Sequence, residues 1–356
     1  VEIAFAQTQN RRILAQPMRF LITGGCGFVG SNVAAAVLAR GDAVTVFDDL
    51  SRHGSAENLK WLRAQGAVHF VHGDTRNAAD IEQAVTDTKP EAVLHLAGQV
   101  AMSTSMRNPR RDFETNVVGS FNLLEALRKQ APEAAVVYSS SNKVYGDLRS
   151  VDLIEERLRY SSPTHPRGVD ESAPIDCQTP YGCSKGAADS YMLDYARGFG
   201  LRTAVFRHST IFGGRQFATF DQGWVGWFCQ QAIELKKEPG RGPFTISGDG
   251  KQVRDLLFVE DCVSCYLAAV DRMEQARGEA FNIGGGIGNS SSLLELFEFL
   301  NAELGIQLKY TRLPWRHSDQ KFFVADNAKA QRVLGWKPRV CKEEGIRRML
   351  AWVEGM

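Results

Sequence analysis

From residue 18 onward the chain alternates short apolar runs with longer stretches in which apolar residues recur at helical spacing. Arg19–Ile22, Ala43–Phe47, Val68–Val71, Ala92–Leu96, Ala134–Tyr138 and Arg202–Phe206 read as buried strands. Between them, Asn32–Ala39, Asp80–Val85, Phe113–Arg128 and Ala187–Arg197 carry the periodicity of helices that bury one face. Parallel neighbours need a helical crossover, so this alternation predicts an α/β fold of the Rossmann type, a doubly wound parallel sheet with helices on both faces.

After Arg207 the rhythm breaks. Phe212–Phe228 and Lys237–Gly250 are rich in glycine and aromatic residues, and Leu256–Ala269 reads as a strand and helix returning to the main sheet. Ser291–Gly305 and the C-terminal stretch then build a smaller α/β cap. The expected division is an extension at 1–17, native or appended; a cofactor-binding domain at 18–207 plus about 256–285; and a substrate-binding domain at 208–255 plus about 286–356. Gly146–Ile175 is long, polar and broken by Pro163, Pro166 and Pro174, which makes it a candidate cover for an active site.

Composition narrows the partners. With 42 basic and 41 acidic residues the formal charge is +1, which offers no basic face for nucleic acid. No run approaches the roughly 20 apolar residues that span a bilayer. The start, with Glu2, Asn10, Arg11 and Arg12, lacks the apolar centre of a secretory signal. Seven cysteines (Cys26, Cys177, Cys183, Cys229, Cys262, Cys265, Cys341) lie scattered through apolar segments rather than in a disulfide framework, so a reducing compartment, the cytoplasm, is expected. Cys262 and Cys265 form one Cys-x-x-Cys with no second pair; they read as core packing, and no metal site is expected. Trp224, Trp227 and Phe228 at helical spacing likewise read as core or interface.

The chemistry begins at Thr23-Gly-Gly-Cys-Gly-Phe-Val-Gly30, directly after the first strand and at the opening of a helix. Gly24, Gly27 and Gly30, with Phe28 and Val29 between them, suit a turn tight enough for backbone to approach a pyrophosphate, whose charge then meets a helix N-terminus. Asp48, with Asp49, ends the second strand, where a carboxylate accepts hydrogen bonds from a ribose and repels a 2′-phosphate; NAD is favoured over NADP, although Arg52 and His53 follow closely. Asp74 and Thr75 after the third strand, and Leu96, Ala97, Gly98 and Gln99 after the fourth, occupy the strand ends where ligands of open sheets gather. His95 reads as a packed strand-end residue. Tyr181 and Lys185 are four apart at the opening of a helix and share a face, and Ser141 stands at the end of the fifth strand. A phenol with an ordinary pKa of about 10 is a poor base at neutral pH, and a neighbouring ammonium favours its phenolate.

Glycine turn, carboxylate, serine strand end and Tyr-x-x-x-Lys together resemble the extended short-chain dehydrogenase/reductase family, the NAD-dependent epimerases and dehydratases, over nearly everything from Met18 onward. The resemblance implies Tyr181 as acid/base, Lys185 as the group that lowers its pKa and holds the nicotinamide ribose, and Ser141 as the group that positions a sugar hydroxyl. Asn116 resembles the family's helix-breaking or relay asparagine, and His208 joins the implied cofactor contacts. Arg254 in Lys-Gln-Val-Arg-Asp and Arg316 with Asp319 in Arg-His-Ser-Asp resemble the residues that grip a diphosphate and ribose. Gln99, Asn142, Lys143, Ser209, Arg215, Gln216 and Thr245 complete the implied substrate contacts. Dehydratases of the family place Asp-Glu after the catalytic Ser or Thr, whereas this chain has Asn142-Lys143, which argues against elimination.

Gly98–Met102, Asn142–Leu148, Tyr181–Asp189 and Gly213–Phe228 are similar to the branch of the family that inverts C2 of a CDP-linked sugar for lipopolysaccharide O-antigen. A CDP-sugar, or another nucleotide sugar, is therefore the expected partner, with oxidation at C2 to a 2-keto sugar followed by reduction from the other face. A homo-oligomer, dimer or tetramer, is implied. C4 inversion of a UDP- or CDP-hexose, a net dehydrogenase and a non-catalytic NAD sensor are the alternatives; retention of Tyr181 and Lys185 speaks against the sensor.

Overall fold

Phe20 and Ile22 turn to one face of the first strand and Leu21 to the other, and Ala135 and Val137 oppose Val136 and Tyr138 in the same way, so two separate apolar cores cover the sheet. The computed structural model describes residues 16–356; the rest of the extension expected at 1–17 lies outside the described residues. The main sheet has seven strands: β1 (Arg19–Thr23), β2 (Ala43–Asp48), β3 (Val68–His72), β4 (Ala92–His95), β5 (Ala135–Ser141), β6 (Arg202–His208) and β7 (Glu279–Ile283). All pairings are parallel and the order is β7-β6-β5-β4-β1-β2-β3, with the reversal beside β1, where a crevice opens at the strands' carboxyl ends.

The helices that frame this crevice are α1 (Phe28–Ala39), α2 (Ser55–Gln65), α3 (Ala78–Thr88), α4 (Met102–Arg107), α5, α6 (Thr179–Gly198) and α7 (Trp224–Lys237). α5 is a run over 109–130 in which Pro109–Phe113 and Gly119–Gln130 flank a π-turn at Glu114–Val118. No helix among the described residues is long and apolar enough to cross a membrane.

Small sheets build the second lobe. Phe244–Ser247 pairs in parallel with Tyr310–Leu313. Val253–Phe258 pairs with Thr210–Phe212, Ser290–Ser292 and Phe322–Phe323. This corrects one expectation: the strand near Leu256 stays in the second lobe, and β7 is what returns to the main sheet. The following helix, Val259–Asp271, does return to the main core, with Cys262 and Cys265 fully buried there.

Gly146–Ile175 is corrected as well. It forms a short hairpin, Ile154–Glu155 with Tyr160–Ser161, and straps itself to the second lobe through Tyr160 Oη to Asp249 (2.6 Å), Arg159 to Glu295 (3.3 Å) and a bridge from Val169 to Ala325. Neither ligand cleft described below takes any lining residue from this segment. Its polar side chains serve the lobe behind it and, through Glu171 accepting the Asn282 N–H (2.7 Å), the edge of the main sheet.

Candidate active site

At the end of β1 the chain turns through Gly24 with φ +68°, and a Cβ there would lie 2.6 Å from the Ala97 nitrogen. At Gly30 a Cβ would lie 2.2 Å from the Gly24 carbonyl oxygen, so α1 meets the turn only because that atom is missing. Gly27 caps α1 without a side-chain acceptor, leaving first-turn N–H groups for an anion. Beside the turn runs a cleft of about 590 Å³ lined by Gly24, Gly27, Phe28, Val29, Gly30, Asp48, Asp49, Asp74 and Thr75, and farther in by Leu96–Gln99, Ser141, Tyr181 and His208. Asp48 is buried, accepts the N–H groups of Cys26 (3.0 Å) and Leu50 (2.8 Å), and is pushed above the usual carboxylate range by burial. It therefore braces the glycine turn and also faces the cleft. Asp74 is held below the usual range by the Arg76 guanidinium, which donates to both its oxygens (3.0 and 2.9 Å).

The three residues expected to act on the substrate, Ser141, Tyr181 and Lys185, lie at the end of β5 and in the first turns of α6. Ser141 lines the cleft, and its Oγ accepts the Lys143 N–H at 3.2 Å and donates to Asn142 Oδ1 at 3.4 Å. Tyr181 opens α6, where its N–H donates to Ser105 Oγ (3.2 Å); burial raises its phenol to about 12, with Ser141 pulling the other way. Lys185, one turn on, donates from Nζ to the Ser139 carbonyl (2.8 Å) and lies 5.0 Å over the Tyr138 ring. Burial lowers its ammonium to about 8, against the pull of Asp112 and Asp189. A phenol this unwilling to ionise needs a further positive neighbour on its open side before it can serve as a base.

Lys185 and Asn116 do not line the cleft; both stand behind Gly98, where a Cβ would be 3.0 Å from Asn116 Oδ1 and 3.1 Å from Lys185 Nζ. Asn116 sits inside the π-turn and ties Gln99 down through both backbone groups (2.9 and 3.1 Å) and Ser184 through its amide (2.9 Å). The amide of Gln99, expected on the ligand, is turned inward to Asp112 (2.8 Å) and Ala101 (2.9 Å). His208 does line the cleft, yet its Nε2 is paired with Tyr266 Oη at 2.8 Å, and burial drops its pKa to about 3 and keeps it neutral. His95 is packed in the core between Thr23 and Ser120, as expected.

A second cavity of about 250 Å³ opens from the first and shares Asn142, Lys143, Ser209 and Arg316 with it; Thr245, Arg254 and Asp319 lie deeper. Arg254 Nη2 and Lys143 Nζ converge on the same Asp319 oxygen at 2.8 and 3.4 Å. Burial pushes Asp319 up, but Lys143, Arg254 and Arg316 outweigh it and hold the carboxyl low; burial brings Lys143 down to about 8. Trp224, Trp227 and Phe228, expected in the core or an interface, stand in the wall of this cavity. Arg215 and Gln216, expected with the sugar nucleotide, line only the first cleft, and Arg215 Nε is fixed to Asn58 Oδ1 (2.8 Å) on α2.

Sequence reasoning did not single out Asn58, Arg111, Asp112, Phe217 or Asp221, although all but Asp112 line the cleft and Asp112 anchors Gln99 and Ser184. Asn58, Arg111 and Asp112 lie in segments without motif or strong periodicity, whereas Phe217 and Asp221 fall within Gly213–Phe228, whose resemblance gave them no individual role. Arg52 and His53, noted only as a possible phosphate site, also line it. Among the described residues no group of three or more His, Cys, Asp or Glu side chains is placed to hold a metal ion.

A doubly wound sheet with a glycine turn, a strand-end carboxylate and a Ser-Tyr-Lys trio defines a dinucleotide-dependent enzyme, and the chain belongs to the NAD dependent epimerase/dehydratase family, whose profile matches residues 20–284. Over 339 residues it is 53% identical to CDP-paratose 2-epimerase of Salmonella typhi, covering 95% of this chain and 100% of that one. It is 32% identical to UDP-glucose 4-epimerase of Mycolicibacterium smegmatis, covering 92% and 96%. Two solved UDP-glucose 4-epimerases superpose well, each over 95% of this chain and 99% of theirs. The Thermotoga maritima enzyme with UDP-glucose has TM-score 0.80 and 29% identity. The Thermus thermophilus enzyme in complex with NAD has TM-score 0.78 and 28% identity.

Proposed function

We propose that the protein inverts C2 of CDP-paratose, or a closely related CDP-sugar, to the tyvelose-type epimer through a transient 2-keto sugar. The observation that carries this is Ser141 and Tyr181 in the wall of the dinucleotide cleft, next to Asn142 and Lys143 that it shares with the cation-lined cavity, with Lys185 one helical turn on behind Gly98, in a chain 53% identical to CDP-paratose 2-epimerase. The glycine turn and the buried Asp48 fit NAD: a Cβ at Gly24 or Gly30 would collide with the backbone that shapes the turn, and Asp48 would repel a 2′-phosphate. When bound, NAD supplies the acceptor and donor of the hydride.

The chain's own residues handle the proton. Ser141 donates a hydrogen bond that holds the C2 hydroxyl toward Tyr181, whose phenolate removes the proton and later returns it. Lys185 stabilises that phenolate through its buried ammonium. Arg254 and Arg316 hold the diphosphate, and Asp319 the ribose of the cytidine. Asn142-Lys143 supplies no carboxylate pair for eliminating water. A homo-oligomer is supported by Phe121, Tyr191 and Phe199, exposed at 40%, 43% and 54% along neighbouring faces of α5 and α6.

Incubating purified protein with CDP-paratose and, separately, UDP-glucose, with NMR of the products, tests the reading. Inversion at C2 of the CDP-sugar is expected. Inversion at C4 of UDP-glucose alone would overturn it in favour of the activity named for the 4-epimerase relatives. Tyr181→Phe is expected to lower turnover by about 10²–10⁴-fold while NAD stays bound.

A further inference from the structure

Between Gly213 and Gly223 the chain crosses the mouth of the larger cleft, which Arg215, Phe217, Ala218 and Asp221 line. Its first half is fastened to α2. Besides its bond to Asn58, the Arg215 guanidinium lies 5.0 Å over the Trp61 ring and 5.6 Å over the Phe217 ring. Asn58 Nδ2 in turn donates to the Arg215 carbonyl (3.3 Å) and to the Cys26 carbonyl in the glycine turn (3.1 Å). Phe217 covers Gly54, where a Cβ would lie 2.1 Å from the ring, and meets His53 (5.8 Å) and Trp352 (5.5 Å) edge-on. The second half is fastened to α4, where Asp221 Oδ2 accepts from Ser103 Oγ (3.0 Å) and Thr104 Oγ1 (3.3 Å). α2 follows β2 and α4 follows β4, the two strands that flank β1, so the segment spans the glycine turn from one side to the other.

We propose that Gly213–Gly223 is a clasp that retains the dinucleotide, with Arg215 and Phe217 as its cofactor-retaining residues. The inference rests on the NAD-dependent reading above. A dinucleotide lying along the glycine turn leaves only after these contacts part, and both lobes hold them. Retention matters for electron balance. The two electrons removed with hydride from the sugar carbon must return to that same sugar, and a reduced dinucleotide released midway would strand a keto sugar.

The test follows release of radiolabelled NAD from the loaded protein by timed gel filtration, with no substrate present. Arg215→Ala and Phe217→Ala are each expected to speed release by about tenfold or more, since losses of this kind fall mainly on the dissociation rate. Melting temperature and circular dichroism check that each variant is folded, and Asp221→Ala, which frees the opposite anchorage, reports in place of one that is not. Wild type that holds label while the folded variants lose it no faster overturns the clasp alone. Wild type that holds no NAD at all overturns the cofactor reading and the clasp with it.

Discussion

Lys185 is an ammonium that the fold buries at a cost, because burial lowers its pKa from 10.5 to about 8. Between those values the unfolded chain keeps a proton that the folded chain has released, so this group makes stability rise with pH across that window; below about 8 its cost is present in full. Tyr181 acts in the opposite sense higher up: its phenol, raised from 10.0 to about 12, stays protonated in the fold and lowers stability above pH 10. Lys185→Met is thus expected to abolish turnover yet raise the melting temperature at pH 7 by roughly 2–4 °C, an advantage that shrinks between pH 8 and 10 in calorimetry at stepped pH. Ser141, Tyr181 and Lys185 were legible in the sequence because local spacing and strand ends place them. Gln99 and Asn116 were legible as candidates but not in their orientation, since the inward turn of Gln99 depends on Asp112, which no motif marks.

The π-turn at Glu114–Val118 shows what periodicity misses at the level of an element. The sequence predicts one helix over Phe113–Arg128, and the extra residue in the turn is what swings Asn116 onto the backbone of Gln99. Asn116→Ala leaves those two groups without partners and is expected to cost about 1–3 kcal/mol in chemical denaturation, with a lower NAD content as Gln99 in the cleft wall and Ser184 lose their common support. β7 escaped prediction for a related reason. Its Asn282 breaks the apolar run Glu279–Ile283, yet that side chain is buried and satisfied by Tyr145 Oη (2.9 Å) and the Val169 carbonyl (2.9 Å). α2 was missed because few apolar residues, Leu59 and Leu62 among them, face the core from an otherwise charged helix. The alternation that did reveal the main sheet is strong because its strands are covered on both faces.

Across the whole molecule, Gln320 ties the segment that follows Ser141 to the second lobe. It donates to the carbonyls of Asn142 (3.1 Å) and Gly146 (2.7 Å) and accepts from the Asn142 amide (2.8 Å), so the residues after Ser141 are held by both lobes. Assembly belongs to this scale too: charging the exposed aromatic face with Phe121→Glu and Tyr191→Glu is expected to shift sedimentation from oligomer toward monomer, and unchanged mass would place any interface elsewhere. The meeting of Lys143, Arg254 and Arg316 on the single carboxylate of Asp319 has a further consequence. Three cations against one anion leave a surplus of positive potential along the wall of the smaller cavity, which draws a dianionic visitor in before any contact forms. Dissolved ions blunt that pull over about 8–10 Å at ordinary ionic strength. Sodium chloride is therefore expected to depress kcat/KM steeply and leave kcat nearly level, making salinity a throttle on how often the reaction begins rather than on how fast it proceeds.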